Sequence, residues 1–379
     1  MSGPARGGWL RTRWRRLNGP GRVGGVDLAR GLAVIGMFAA HLLWISEPFD
    51  VVDPSTWVVV AEGRSSILFA TLAGVSIGLV TGGTAPLTGR SMRMARSRLA
   101  VRAALLWLLG MALILTGVPV YVILPAYALL FLLALPLTRL PARILLPLAG
   151  ALAVVMPLIQ VILDDLAVWR TVAGYDLALV VGWHYPFTTW IVFVVAGLGA
   201  ARAGVTRLRV QLWLVAAGSA LAASAYAMDA ATGADGADET NSFWGAVWTA
   251  RAHSTGLLEV LGSGGFALAV LGVCLLACRT FVRTVVLPVR AVGAMPLTAY
   301  TAQLVVWAVV AGVVLGNPGD LDGFRALDPF WPFCVSTVVL STAWALLIGR
   351  GPLEAAVDRL SRWIVRDGSG RDAPGRLLA

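Results

Sequence analysis

Residues 26–46 read VDLARGLAVIGMFAAHLLWIS, and this run decides what kind of chain it belongs to. At 1.5 Å of rise per residue, about 20 mostly apolar residues cross the hydrocarbon core of a bilayer. Arg11, Arg13, Arg15, Arg16 and Arg22 precede the run. It is too long for a signal-peptide core, and no small-residue cleavage site follows it, so it reads as a retained transmembrane helix. Yet it carries Asp27, Arg30 and His41. A charge at the bilayer centre costs about 2.5–3.5 kcal/mol on insertion scales, so one that is kept points to function. Arg30 and His41 lie eleven steps apart, which returns to nearly the same azimuth about 16 Å further along the helix. Both side chains therefore share one stripe, and Asp27 is placed i, i+3 to pair with Arg30. Taken singly, Arg30 also fits a snorkelling anchor and His41 an interhelical hydrogen bond.

The remaining chain extends the pattern. Of 379 residues, 58% are hydrophobic and 13% charged, where a soluble domain carries roughly 25% charged residues. The expected fold is all-α, a polytopic transmembrane helix bundle of about ten spans: 26–46, 58–81, 100–117, 119–138, 141–163, 176–201, 209–228, 255–278, 291–316 and 330–349. All 30 basic residues are Arg, a usage that suggests a high-GC bacterial genome. The net charge of +10 does not indicate nucleic acid, because the Arg residues sit in short loops between apolar runs. With the N-terminus inside, 25 of the 30 fall on the inner side, and only Arg170, Arg251 and Arg325 lie in outer loops. The outer loops are acidic, with Glu47, Asp50 and Asp53, Asp164 and Asp165, Asp229, Asp235, Asp238 and Glu239, and Asp320, Asp322 and Asp328. The positive-inside rule then fits both termini in the cytoplasm of a bacterial plasma membrane. Cys274, Cys278 and Cys334 form neither a disulfide framework nor a metal site, and no metal is expected.

Further ionisable residues sit near the outer ends of spans. Glu62 and Arg64 open the second span, where an ion pair is the plain alternative to a chemical role. His184 lies in Gly182-Trp183-His184-Tyr185-Pro186, and because proline disfavours helix at the preceding residue, the helix proper is expected to start at Pro186. Arg251, His253 and Glu259 frame the eighth span, so all three histidines gather at the outer side, where an unperturbed pKa near 6.5 suits proton transfer. Pro296-Leu297-Thr298-Ala299-Tyr300-Thr301-Ala302-Gln303 forms a polar stripe expected to face the bundle interior. The loop 229–254 is either a lid over a site or a plain linker with an interfacial aromatic belt.

Asp27-Leu28-Ala29-Arg30-Gly31 followed by His41 resembles the opening of the transmembrane acyltransferase superfamily, which includes heparan-α-glucosaminide N-acetyltransferase. Glu62-Gly63-Arg64-Ser65-Ser66, His184-Tyr185-Pro186, Pro296-Leu297-Thr298-Ala299-Tyr300 and Arg350-Gly351-Pro352-Leu353-Glu354, in that order, are similar to the YeiB-like bacterial relatives. The resemblance implies one transmembrane acyltransferase-like domain over 23–366, its first half (23–205) heparan-α-glucosaminide N-acetyltransferase-like and its second (206–366) YeiB-like. A basic cytoplasmic tail (1–22) precedes it and a disordered tail (367–379) follows. The resemblance also implies acetyl-CoA as acyl donor from the cytoplasm and a small-molecule or glycan acceptor of the cell envelope on the far side. On this basis Arg30, oriented by Asp27 and helped by Arg residues of 90–102, would hold the CoA phosphates. His41 would act as base or be acylated itself, Glu62 would orient it, and Arg64 would stabilise the oxyanion. His184, His253, Arg251 and Glu259 would face the acceptor. The lipid bilayer is the expected partner, with a homo-oligomer among the expected states and nucleic acid excluded. A transporter or flippase without acyl transfer is the alternative, although the two halves show no obvious repeat.

Overall fold

The computed structural model describes residues 17–19, 21–45, 49–50, 52–233 and 242–366. Most of the expected basic tail, all of the expected tail 367–379, and Glu47, Asp235, Asp238 and Glu239 lie outside them. Among the described residues all regular structure is helical. In chain order the helices are α1 (Gly24–Leu42), α2 (Arg64–Val80), α3 (Gly89–Ile114), α4 (Leu124–Ala134), α5 (Ala142–Asp164), α6 (Val172–Val181), α7 (Phe187–Ala203), α8 (Leu208–Thr232), α9 (Phe243–Val247), α10 (Leu257–Ala277), α11 (Val282–Val285), α12 (Leu287–Gly293), α13 (Pro296–Val314), α14 (Leu321–Arg325), α15 (Phe330–Leu347) and α16 (Pro352–Ile364).

Seven of these are long and apolar enough to cross a membrane: α1, α3, α5, α8, α10, α13 and α15. An eighth span arises if the 3₁₀ segment Pro54–Ala61 is joined to α2 across a 41° bend. The other two expected spans are shorter as helices. In 119–138, α4 covers 11 residues before Pro136 opens a 3₁₀ turn, because proline has no N–H to continue the ladder. The run 176–201 is broken where Gly182 takes φ +68° and Pro186 caps α7, a helix of 17 residues. The helix thus begins beside Pro186, as its effect on the preceding residue predicts.

The bundle is built around α1. Of its spanning window 67% is buried, against 28% for α3 and α5, 22% for α8 and 17% for α15. The outer helices present large apolar side chains, among them Val154, Trp213, Val339 and Leu340. In lipid there is little hydrophobic drive between helices, so association rests on close backbone approach at small residues. Three crossings show it. A Cβ on Gly74 of α2 would lie 2.0 Å from Val194 O, and one on Gly197 of α7 would lie 1.9 Å from Thr71 O. Gly218 of α8 and Gly265 of α10 meet each other's carbonyls at 2.7 Å by the same construction. Gly31 of α1 and Gly293 of α12 approach so closely that added Cβ atoms would meet Val289 O at 2.1 Å and Asp27 O at 1.7 Å. Helices of the second half, α10 and α12, therefore pack directly on those of the first.

Two arginines sorted by the sequence as topology signals are interior fasteners. Arg202 donates through Nη1 to Gly78 O (2.8 Å) and Gly83 O (2.6 Å), and through Nη2 to Thr81 Oγ1 (2.7 Å) and Thr138 O (2.5 Å). It closes the carbonyls left open where α2 ends. Arg290, fully buried, donates to Leu17 O (2.6 Å), Asn18 Oδ1 (3.0 Å) and Arg283 O (2.9 Å).

Gly197→Ala is expected to lower stability by about 1–3 kcal/mol, the usual cost of overpacking a tight contact. Gly150→Ala on α5, with nothing within 4 Å of the new methyl, is expected to be neutral or to gain up to about 1 kcal/mol of helix propensity. Tryptophan-fluorescence melting of the two variants in detergent, beside wild type, checks the contrast.

Candidate active site

Along one face of α1, Arg30, Met37 and His41 open into successive cavities. The first, of about 170 Å³, is lined by Arg22, Arg30, Arg102 and Arg350 together with an apolar wall that includes Phe69, Leu72 and Phe131. Arg22 donates through Nε to Asp27 Oδ2 (2.5 Å), and Arg30 Nη1 lies 3.7 Å from Asp27 Oδ1. Arg30 Nη2 also donates to Ser76 Oγ on α2. Asp27, almost fully buried, does not line the cavity; it holds two guanidinium groups that do. Of the 90–102 arginines, Arg102 lines this cavity, and its buried Nε has no hydrogen-bond partner among the described residues. Arg96 is instead spent on Thr138 Oγ1 at 2.9 Å. Glu354 and Asp358 complete the wall. Glu354 accepts from the N–H groups of Leu297 (2.7 Å) and Thr298 (3.1 Å) at the start of α13, while Asp358 pairs with Arg350 and Arg362.

The second cavity, of about 320 Å³, is lined by His41, Glu62, Ser65, Ser66, His253 and Arg325. Met37, Ile123 and Tyr300 line both it and the first, so the two cavities adjoin at these side chains. The third cavity, of about 350 Å³, is lined by Asp164, Trp183 and His184, and shares Tyr121, Tyr185 and His253 with the second. The three spaces form a series from the arginine-rich start of α1 past its far end.

His41 Nδ1 lies 3.4 Å from Gln303 Nε2 on α13. Gln303 is 2% exposed and its Oε1 has no partner among the described residues, so either amide end can meet Nδ1 according to the ring tautomer. Glu62 ends the 3₁₀ segment at the rim, where Gly63 (φ +64°) turns the chain into α2. His184 stacks on Tyr121 with ring centroids 3.2 Å apart. Its pKa is pushed down to about 4, chiefly by desolvation and also by His253.

Three expected site residues stand elsewhere. Arg64 does not line the His41 cavity: its Nε donates to Tyr226 Oη (2.7 Å), its Nη1 to Val59 O (3.1 Å), and the group lies over the Tyr226 ring at 4.8 Å. At the start of α2 its guanidinium is drawn to α8 by a ring and a hydroxyl together. Arg251 is exposed and lines none of the three cavities. Glu259 is buried, and both its oxygens are engaged by the preceding loop. Oε1 accepts from His253 N (2.7 Å), and Oε2 accepts from Thr255 N (2.6 Å) and Ser254 Oγ (3.2 Å). His253 and Thr255 have φ of +62° and +58°, strained for residues with a Cβ, at about 1–3 kcal/mol each. The carboxylate offsets that strain and sets His253 between two cavities. Residues that sequence reasoning did not assign to the site are Tyr300, Tyr185, Tyr121 and Arg325. Tyr300 and Gln303 do lie on the stripe expected to face inward. Arg325 reaches the site through a fold contact 284 residues away in sequence, from Nε to His41 O at 3.2 Å, which leaves no local signal.

Comparison with known families gives two matches. A model described as heparan-alpha-glucosaminide N-acetyltransferase, catalytic, matches residues 22–229. A model described as a protein of unknown function (DUF418) matches residues 206–364. No curated protein and no solved structure matches the chain.

Glu259→Ala is expected to release the 249–256 loop. Losing the hydrogen bonds to this buried carboxyl, each contributing about 0.5–1.5 kcal/mol, should speed amide exchange at His253 and Thr255 at least tenfold, read by hydrogen–deuterium exchange against unchanged exchange in α1.

Proposed function

Because the chain belongs to the heparan-alpha-glucosaminide N-acetyltransferase catalytic family, whose model covers more than half of it, we propose that this membrane protein transfers an acetyl group from acetyl-CoA to an acceptor on the opposite side of the bilayer. The acceptor class suggested by the family's name is an amino sugar, here free or part of an envelope glycan. One observation carries the proposal above all others: Arg30 and His41 lie on one face of α1 and line adjoining cavities that share Met37, Ile123 and Tyr300.

Each cavity suits one part of the reaction. Arg22, Arg30 and Arg102 line the first cavity together and offer forked donors to phosphate oxygens. The apolar wall beyond them suits the pantetheine arm, whose length is comparable to the rise of about 16 Å between Arg30 and His41. His41 is within reach of an acceptor that enters through the third cavity, and takes the proton from its amine or hydroxyl. That role contributes roughly 10²–10⁴-fold. Gln303 fixes the imidazole, and Glu62 lines the same chamber as a polar neighbour. Stacked Trp169 and Trp183, with Asp164 accepting from Trp183 Nε1 (2.8 Å), flank the third cavity and suit the mixed apolar and hydroxyl faces of a sugar.

A transporter of the same fold is the rival, favoured by the serial arrangement of the cavities. The two part on chemistry. In nanodiscs with acetyl-labelled acetyl-CoA and glucosamine or an envelope extract, wild type should release CoA and label the acceptor, and His41→Ala should lose transfer at least a hundredfold. Arg30→Ala should raise KM for acetyl-CoA about tenfold or more with turnover little changed. Label crossing without transfer would favour transport, and an unchanged KM with dead chemistry would remove the phosphate role of Arg30.

A further inference from the structure

We infer that Arg325, from the half of the chain outside the acetyltransferase match, is the catalytic group that stabilises the oxyanion formed beside His41. The inference rests on the acyltransferase function proposed above. It gives a chemical task to the region matched only as a protein of unknown function, 230–364.

Among the described residues, Arg325 is the one arginine that lines the second cavity. Its Nε donates to His41 O at 3.2 Å and its Nη2 approaches Ala40 O at 3.5 Å, two carbonyls left open at the end of α1. These contacts use one edge of the planar group. Nη1 has no hydrogen-bond partner and the guanidinium no ion pair among the described residues. The face of the group is steadied by the Trp44 ring, 5.5 Å away. A cation is therefore pinned within one residue of the candidate base, with donor capacity unspent in the chamber it lines.

The support beneath it is rigid. Phe324, fully buried, stacks on Trp307 with centroids 4.7 Å apart and planes at 10°, and packs edge-on to Phe333. Asp320 caps the short helix by accepting from Gly323 N at 2.9 Å. A donor held by packing before the reaction needs no reorganisation when charge develops, which is what makes such groups effective. Arg64, by contrast, is committed to Tyr226 and Val59.

The chemistry balances without another reactant. The acceptor nitrogen or oxygen forms a bond to the thioester carbonyl carbon, the C=O π pair moves to oxygen, and the acceptor proton passes to His41. Arg325 holds the resulting oxyanion. When the C=O re-forms, the C–S bond breaks, and His41 returns the proton to the thiolate.

The test compares wild type, Arg325→Gln, Arg325→Lys and Arg64→Gln as full chains in nanodiscs, using labelled acetyl-CoA with glucosamine and with envelope extract. Arg325→Gln should lower kcat about 10²–10³-fold, the usual loss on removing an oxyanion donor, with KM for acetyl-CoA within about threefold of wild type. Arg325→Lys keeps the charge but loses the planar fork that lets one group hold the carbonyls along one edge while presenting a donor to the chamber from the other. It should fall between the two, at least tenfold below wild type. Arg64→Gln should keep kcat within about threefold. Wild-type kcat in Arg325→Gln would overturn the inference, as would a loss that follows a lowered melting temperature and that Lys does not relieve. If Arg325→Gln does not fold, Arg325→Lys decides alone, and wild-type kcat there overturns it. An inactive wild type would instead fail the acyltransferase function itself, before any variant is compared.

Discussion

A guanidinium and an imidazole ride on one helix of 19 residues, and neither can face hydrocarbon. The architecture answers that constraint. α1 sits at the centre of the bundle, and α2, α10, α12, α13 and α15 all pack against it. That enclosure needs near-contact of backbones, which is why glycines mark its crossings: Gly31 against α12 and Gly25 against Leu275, while Gly36 leaves room for the Ser65 side chain. With α1 enclosed, its polar stripe has only internal space to open into, and the cavities form along that stripe. Site and packing have one origin.

Much of this was legible in the sequence. Apolar runs of crossing length announced the bundle, and the azimuths of Arg30 and His41 announced a common face. The break at Gly182–Pro186 followed from proline's effect on its neighbour. What escaped was set by contacts distant in the chain. Glu62 and Arg64 are near neighbours in sequence, but Gly63 turns the chain between them, so one lines the His41 chamber and the other faces α8. Arg325 looked like a stray cation in an acidic outer loop, and Glu259 like a titratable group aimed at a ligand. Only the fold reveals that the first reaches His41 and that the second is saturated by its own loop. Hydropathy also ran past the helix breaks, because it registers apolar residues around α4 and α7 without sensing where the ladder stops.

The arginines that the sequence assigns to the inner side show how one residue type divides its labour. Arg202 and Arg290 spend their donors on carbonyls, which lets helices end inside protein without stranded acceptors. Arg22 and Arg30 share the Asp27 carboxylate and line the first cavity together with Arg102. Guanidinium suits both tasks because its five donors lie in a fixed plane, whereas an ammonium would serve as a point charge. A topology rule counts all of these alike, yet their surroundings separate fasteners from groups held in readiness.

The partition formed by Met37, Ile123 and Tyr300 has a consequence of another kind. A chain of cavities running the length of a bundle is an electrical hazard to the cell that carries it, since a wetted path would short the ion gradient across the membrane. Two apolar side chains and one tyrosine ring stand where the first two cavities adjoin, a place from which they can interrupt such a path. Widening the partition to admit bulkier acyl groups would therefore be charged against insulation, and the range of groups such a protein handles is bounded by the membrane's need to hold a voltage as much as by the fit of any pocket.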